Sequence, residues 1–146
     1  MSVTIRPIAE TDRADWEALW RGNLAYFKVE LPQTQTEANW AQLIDPSHDP
    51  FGLVAVDVSE RAVGIVHYLF HPSFWTAGPY CYLHDLFVEE AARGIGFGRA
   101  LIEAVYAAAD EAGAGQVYWL VLHVNQQARR LYDRIGQPTG HLKYKR

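Results

Sequence analysis

The 146 residues include 13 Lys+Arg against 17 Asp+Glu, a formal net charge of -4, and are 49% hydrophobic and 13% aromatic, with five Trp and eight Tyr. This length suits one domain, 1–146, with a substantial core; the acidic balance argues against a nucleic-acid partner, which calls for a strongly basic face, and leaves a cationic substrate open. The single Cys81 excludes an intrachain disulfide and no apolar run approaches a membrane span, so a soluble protein of a reducing compartment, with no membrane partner, is expected.

In chain order, Met1-Ser2-Val3 lacks the basic and apolar regions of a signal peptide, which places the protein in the cytoplasm. Val3 to Pro7 alternates as a short strand that Pro7 limits. Thr11 or Asp12 then caps a helix whose inward stripe is Trp16, Leu19, Trp20, Asn23 or Leu24, and Phe27. Lys28 to Gln35 reads as a loop broken by Pro32. A second helix begins near Thr36, turns Trp40, Leu43 and Ile44 inward and ends before Pro46. Phe51 to Val58 and Ala62 to Phe70 are β-rich runs around Ser59-Glu60-Arg61, an antiparallel hairpin. His71 to Pro79 is a loop leading into the strand Tyr80 to Val88, where Cys81 reads as a small buried hydrophobe rather than a nucleophile.

After a glycine-rich turn, a helix buries Ala100, Leu101, Ala104, Val105 and Ala108 and stops at Gly113. Val117 to Val124, apolar on both faces, reads as a strand covered on both sides. Asn125 opens a last helix with Ala128, Leu131, Tyr132 and Ile135 on one face, Gly136 lies near its end, and Gly140 to Tyr144 follows as a final strand. The order β-α-α-β-β-β-α-β-α-β describes a mixed sheet with a right-handed β-α-β crossover at the glycine turn.

That turn, Arg93-Gly94-Ile95-Gly96-Phe97-Gly98 followed by Arg99, sets several backbone N–H groups at a helix N-terminus, where they attract phosphate. A P-loop needs Lys-Ser or Lys-Thr after its glycines, and Arg99-Ala100 is neither. A Rossmann fingerprint belongs on the first strand of its fold, and too little chain follows here. A plain tight strand-to-helix turn stays open beside the phosphate reading. Arg93-x-x-Gly96-x-Gly98 after Leu86-Phe87-Val88 resembles the coenzyme A motif of the GCN5-related N-acetyltransferases (GNAT), and Asn125-x-x-Ala128-x-x-Leu131-Tyr132-x-x-x-Gly136 resembles that family's next motif at the usual distance. The resemblance covers essentially the whole chain. Trp16-Glu17-x-Leu19-Trp20, Tyr82-Leu83-x-Asp85-Leu86-x-Val88, Val117-Tyr118-Trp119 and Leu142-x-Tyr144-Lys145-Arg146 look like the small yeast-type histone and polyamine acetyltransferases, a branch related to the diamine acetyltransferases.

The resemblance implies an α/β fold of the α+β type: a mixed central sheet of about six to seven strands flanked by about four helices, with splayed parallel strands forming the cofactor cleft. It implies acetyl-CoA as donor and no metal. Gly94, Gly96, Gly98 and Arg99 would hold the pyrophosphate, with Ile95 and Phe97 in the same cradle and Arg93 closing the turn. Leu86, Phe87 and Val88 would offer backbone groups to the pantetheine arm, which Asn125 also reaches while capping its helix. Tyr132 matches the family's acid, and a phenol with a pKa near ~10 suits a departing thiolate. His84 is the first choice for a base, since it lies on the strand flanking the thioester and an ordinary imidazole titrates near pH ~6.5. Asp85, taken as its opposite-face neighbour, and a water relay are the alternatives. Related enzymes commonly place a carboxylate where His84 stands.

On the acceptor side, Trp16, Trp20, Tyr26, Phe27 and Trp40 either frame an apolar channel or, for Trp16 and Trp20 above all, fill the core. Tyr26 and Phe27 are assigned to the opening together with His84, with Glu30 or Glu37 attracting a cationic amine. His67 and His71, without a third ligand, read as sheet-edge histidines rather than metal ligands. The basic tail Lys143, Lys145 and Arg146 is a solvated end or a hold for an exposed coenzyme phosphate. The expected reaction is acetyl transfer to a small primary amine, a polyamine or amino acid derivative. A lysine or N-terminus of a protein, and a coenzyme-binding sensor without turnover, are the alternatives. The last strand of that branch commonly helps make a homodimer, which is the expected assembly.

Overall fold

A computed structural model of the chain describes residues 3–146; Met1 and Ser2 of the start considered above lie outside the described residues. The elements are β1 (Thr4–Pro7), α1 (Arg13–Tyr26), α2 (Gln33–Leu43), β2 (Phe51–Val56), β3 (Ala62–His71), β4 (Tyr80–Val88), α3 (Phe97–Glu111), β5 (Gln116–Tyr118) and α4 (Gln126–Ile135). The strands form one sheet in the order β1-β2-β3-β4-β5. Neighbours are antiparallel up to β4, while β4 and β5 are parallel because the α3 crossover returns the chain in the same direction.

Alternate strand residues serve opposite layers. On one side Val54, Val56, Ala62 and Ile65 pack under Trp16, Leu19, Trp20, Trp40 and Leu43 of α1 and α2. On the other, Val66, Tyr68, Cys81 and Leu83 pack under Phe97, Leu101, Ile102, Val105 and Ala109 of α3. Trp16, Trp20 and Trp40 are therefore core and not channel. Burial in the α3 layer pushes the Cys81 thiol up to about 11, which keeps it protonated and unreactive. Among the described residues no helix is long and apolar enough to cross a membrane.

Among the described residues the sheet has five strands, fewer than the expected six to seven. β5 ends at Tyr118 although the apolar run continues to Val124; no ladder with β4 exists beyond that point, and Leu120, Val121 and Leu122 turn toward a cleft instead. Gly140 to Tyr144 forms no strand, as Gly140 at φ 81° takes the backbone out of the extended region. α2 starts at Gln33 rather than Thr36 because the extended Pro32 is its N-cap; the polar Gln33-Thr34-Gln35 turn carries no apolar period to signal a helix. α1 stops at Tyr26, which leaves Phe27 exposed rather than inward. On α3, Ala100, Ala104 and Ala108 are half-buried at the margin of a stripe centred on Leu101 and Val105. β3 is the middle strand, so His67 is buried inside the molecule and not at a sheet edge.

The register between β3 and β4 slips once. His67 pairs with Asp85 and Tyr68 with Leu83, so His84 is an extra residue on β4, a β-bulge. The bulge resets the alternation. Leu83 faces α3, and both His84 and Asp85 face the α1 side, where the Tyr82 ring lies 5.2 Å from that of His84. The expectation that Asp85 lies on the opposite face from His84 is thus corrected.

Candidate active site

β4 and β5 are paired only through Tyr80, Cys81 and Tyr82 with Gln116, Val117 and Tyr118. Beyond these residues the strands part, and a cleft of about 460 Å³ opens between them. Leu86, Phe87 and Val88 of β4 form one wall; Leu120 to Leu122 with Ala128, Leu131 and Tyr132 of α4 form the other; Asn23, Tyr26 and Phe27 of α1 reach it from outside. Among the described residues Arg93, Arg99, Arg130 and Arg134 line the cleft and no Asp or Glu does, in a chain of net charge -4. Such a one-signed lining attracts an anion. A separate hollow of about 330 Å³ at the far end of β3, next to Phe70, His71 and Pro79, contains none of the expected site residues.

The end of the cleft is the glycine turn. Gly94 and Gly96 have φ of 82° and 100°, where L side chains are strained, and a Cβ at either would meet nothing within 4 Å. The turn's path requires glycine, and the space in front of it is open. Gly96 is the N-cap of α3 with no side-chain cap. The Ala100 N–H donates to the Gly96 carbonyl at 3.0 Å, which leaves the N–H groups of Phe97, Gly98 and Arg99 without a helical partner. Arg93 closes the turn: its Nε donates to the Val88 carbonyl at 2.8 Å, and its guanidinium lies 5.3 Å from the Phe87 ring centroid. Arg99 donates to Glu103 at 2.6 Å. Ile95 projects to solvent and does not line the cleft, whereas Phe97 anchors α3 in the core.

Asn125 caps α4, its side chain accepting from the Ala128 N–H at 3.1 Å. One turn on, the Tyr132 ring stands edge-on to Trp119 with centroids 5.4 Å apart. Burial, with Tyr26 nearby, raises the Tyr132 phenol above its ordinary value, so the hydroxyl is firmly protonated at neutral pH. Gly136 is required by crowding: a Cβ there would lie 2.9 Å from the Trp119 ring, while the backbone φ of -152° is ordinary. The Tyr106 hydroxyl donates to the Ile135 carbonyl at 2.6 Å and ties the end of α4 to α3.

His84, with 54% of its side chain exposed, stands at the bulge two residues before Leu86 and does not itself line the cleft between β4 and β5. Its Nδ1 is 3.0 Å from Asp85 Oδ2. That contact raises the imidazole above its usual value, against the opposing effects of partial burial and of Lys143 in the tail. Burial alone would push the Asp85 carboxyl up, but hydrogen bonds from His67 and His84 outweigh it and hold the group below the usual carboxylate range. His67 Nδ1 lies 3.0 Å from the same Oδ2, and His67 Nε2 accepts from the Trp16 indole at 3.0 Å. Sequence reasoning missed His67 and Trp16 as parts of this chain of contacts. The available signal was a histidine inside the apolar run Val63 to Phe70.

Tyr26 and Phe27 do reach the cleft, their rings T-shaped at 5.0 Å. Glu30 is exposed on the connection to α2 and does not line it, and Glu37 is paired with Arg13 at 2.6 Å. Lys143, Lys145 and Arg146 do not line the cleft either; the cations there include Arg130 and Arg134, one turn apart on the face of α4 beside Tyr132, a spacing readable in the sequence. Among the described residues no three His, Cys, Asp or Glu side chains group to hold a metal.

Residues 16–137 match the model of the Acetyltransferase (GNAT) family. The D-amino-acid N-acetyltransferase HPA3 of Saccharomyces cerevisiae is 36% identical over 145 residues, covering 99% of this chain and 90% of that protein. The L-ornithine N5-acetyltransferase NATA1 of Arabidopsis thaliana is 36% identical over 66 residues, 45% of this chain and 28% of that protein. Among solved structures, AAC(6')-Iy in complex with the bisubstrate analogue CoA-S-monomethyl-acetylneamine has a TM-score of 0.86 over 100% of this chain and 98% of its own, at 17% identity, a likeness of fold.

Proposed function

The chain belongs to the acetyltransferase (GNAT) family of enzymes, and from that premise we propose that it carries an acetyl group from acetyl-CoA to a small primary amine by direct attack, with residues 1–146 acting as one domain. The observation that carries this reading is the cleft. Among the described residues, four arginines without a carboxylate, three N–H groups at the start of α3 with no partner, and open space before Gly94 and Gly96 suit a pyrophosphate. Leu86 to Val88 and Leu120 to Leu122 supply apolar walls for an extended arm. Acetyl-CoA, when bound, supplies the acetyl thioester.

The remaining work falls to the chain's own groups. The turn N–H groups and Arg99 hold the pyrophosphate, Arg130 and Arg134 neutralise further phosphate charge, and Arg93 keeps the turn closed on Val88. The edge of β4 left unpaired beyond Tyr82 offers backbone N–H groups to the pantetheine arm and to the thioester carbonyl. His84 takes a proton from the incoming ammonium, and Tyr132 gives its phenolic proton to the departing thiolate. Asn125 fixes the start of α4, and with it the approach of Tyr132.

The acceptor enters over Tyr26, Phe27 and His84, with Glu30 at the outer rim. The similarity to enzymes named for D-amino acids and for ornithine favours an amino acid derivative over a polyamine. The setting is cytoplasmic, in keeping with one buried, free Cys81. The assembly is a homodimer, a reading supported by the exposed Leu142 and Tyr144 of the tail, and a monomer in light scattering at micromolar concentration would contradict it.

Thiol release from acetyl-CoA, measured over a panel of amino acids, polyamines and basic peptides, tests the function. Release with an amino acid or polyamine is the expected result. Release with peptides alone would transfer the acceptor to a protein lysine or N-terminus. Tight coenzyme binding with no release for any acceptor would reduce the chain to a sensor.

A further inference from the structure

We propose that Trp16 and His67 are positioning residues that keep Asp85 an ionised carboxylate turned toward His84, so that the proton affinity of the exposed His84 imidazole is set from inside the core. The proposal rests on the reading of His84 as the base of acetyl transfer.

The argument begins with a donor that has no alternative role. An indole N–H can only donate, so the 3.0 Å contact from Trp16 Nε1 requires a lone pair on His67 Nε2. The His67 proton therefore sits on Nδ1, where it donates to Asp85 Oδ2 at 3.0 Å. Protonating Nε2 would set N–H against N–H in a site where Trp16 is 0% and His67 6% exposed, with the Trp16 and Trp20 rings packed against the imidazole at 6.2 and 5.6 Å. His67 is thus confined to one neutral tautomer.

A neutral donor differs from a cation in what it leaves behind. Asp85 gains a hydrogen bond from His67 and keeps its full negative charge. That charge has a second neighbour at 3.0 Å, His84 Nδ1. With its proton held on Nδ1 beside the Asp85 charge, His84 keeps the Nε2 lone pair free to accept a proton, the logic by which a carboxylate orients an imidazole base. The bulge makes the arrangement possible, because a regular strand would send His84 and Asp85 to opposite faces. The groups facing His84 are Asp85, the Tyr82 ring and Lys143; those facing Asp85 are His67 and His84; those facing His67 are Trp16, Trp20 and Asp85.

Two measurements test it. Long-range proton–nitrogen spectra of the ring nitrogens in the intact protein should show the His67 proton on Nδ1 and a lone pair on Nε2. The pH profile of kcat/KM should then respond in opposite directions to two core variants. His67→Leu removes the neutral donor, concentrates the Asp85 charge on His84 and moves the acidic limb up by about one pH unit; His67→Gln, which keeps one donor and one acceptor, restores it. Trp16→Phe frees His67 Nε2, lets that ring protonate and compensate Asp85, and moves the limb down. A native His67 that carries its proton on Nε2, or a limb that stays put in both variants while only the melting temperature falls, overturns the proposal. A limb that survives in His84→Gln overturns the base reading, and the proposal with it.

Discussion

Gly98→Ala separates the turn's role in the fold from its role toward a ligand. Unlike Gly94 and Gly96, Gly98 lies inside α3 without a positive φ, and a Cβ there would sit 3.6 Å from Leu131 Cδ2 and 3.9 Å from Val88 Cγ2, ordinary van der Waals contacts. The methyl group needs no rearrangement. Replacing a helical glycine with alanine lowers unfolded-state entropy, which stabilises by about 0.5–1 kcal/mol and raises the melting temperature of a chain this size by about 1–4 °C. The same methyl projects between two residues of the cleft wall, beside N–H groups that have no partner among the described residues. If those groups hold pyrophosphate, KM for acetyl-CoA should rise about tenfold, equivalent to ~1.4 kcal/mol of binding, with kcat nearly unchanged. Thermal unfolding and initial-rate kinetics on one preparation read both effects. A raised melting temperature with unchanged KM would refute the phosphate cradle, and a lowered one would refute the packing account.

Tyr132→Phe should lower kcat about 100-fold or more with little change in stability, since the phenol makes no hydrogen bond to another residue among the described ones; unchanged turnover removes Tyr132 as the acid. Gly136→Ala should cost about 1–3 kcal/mol in chemical denaturation, because its Cβ would enter the Trp119 ring that is held between Tyr106 and Tyr132; native-like stability would mean that Trp119 can move. The raised proton affinity of His84 means that the imidazolium persists above pH ~6.5, so kcat/KM should be low below that value and climb above it. Asp85→Asn removes the charge responsible and should move the limb to lower pH; a limb that does not move would assign the titration to another group.

Much of this was legible without coordinates. The strand ending at Val88, the turn's glycines, the Asn125 cap and the inward face of α4 are local features, readable from periodicity, φ requirements and capping chemistry over a few residues. The misreadings share a cause. Val117 to Val124 is as apolar as a buried strand, but whether an apolar segment joins a sheet depends on a neighbour, and β4 has already diverged. His67 has the spacing of any strand histidine, and only the packing of α1 across β3 brings Trp16 to one ring nitrogen while β4 brings Asp85 to the other.

The amino-acid sequence by itself therefore determined the succession of elements as far as α4, the glycine turn and the family, because each is encoded in short-range patterns that resist rearrangement. Only the tertiary structure decided that Arg130 and Arg134 of α4 join the lining of the cleft between β4 and β5, and that one bulged residue turns His84 and Asp85 to the same side. A single unpaired residue reverses the facing of all that follow it in a strand, and nothing in the local sequence marks where that extra residue falls.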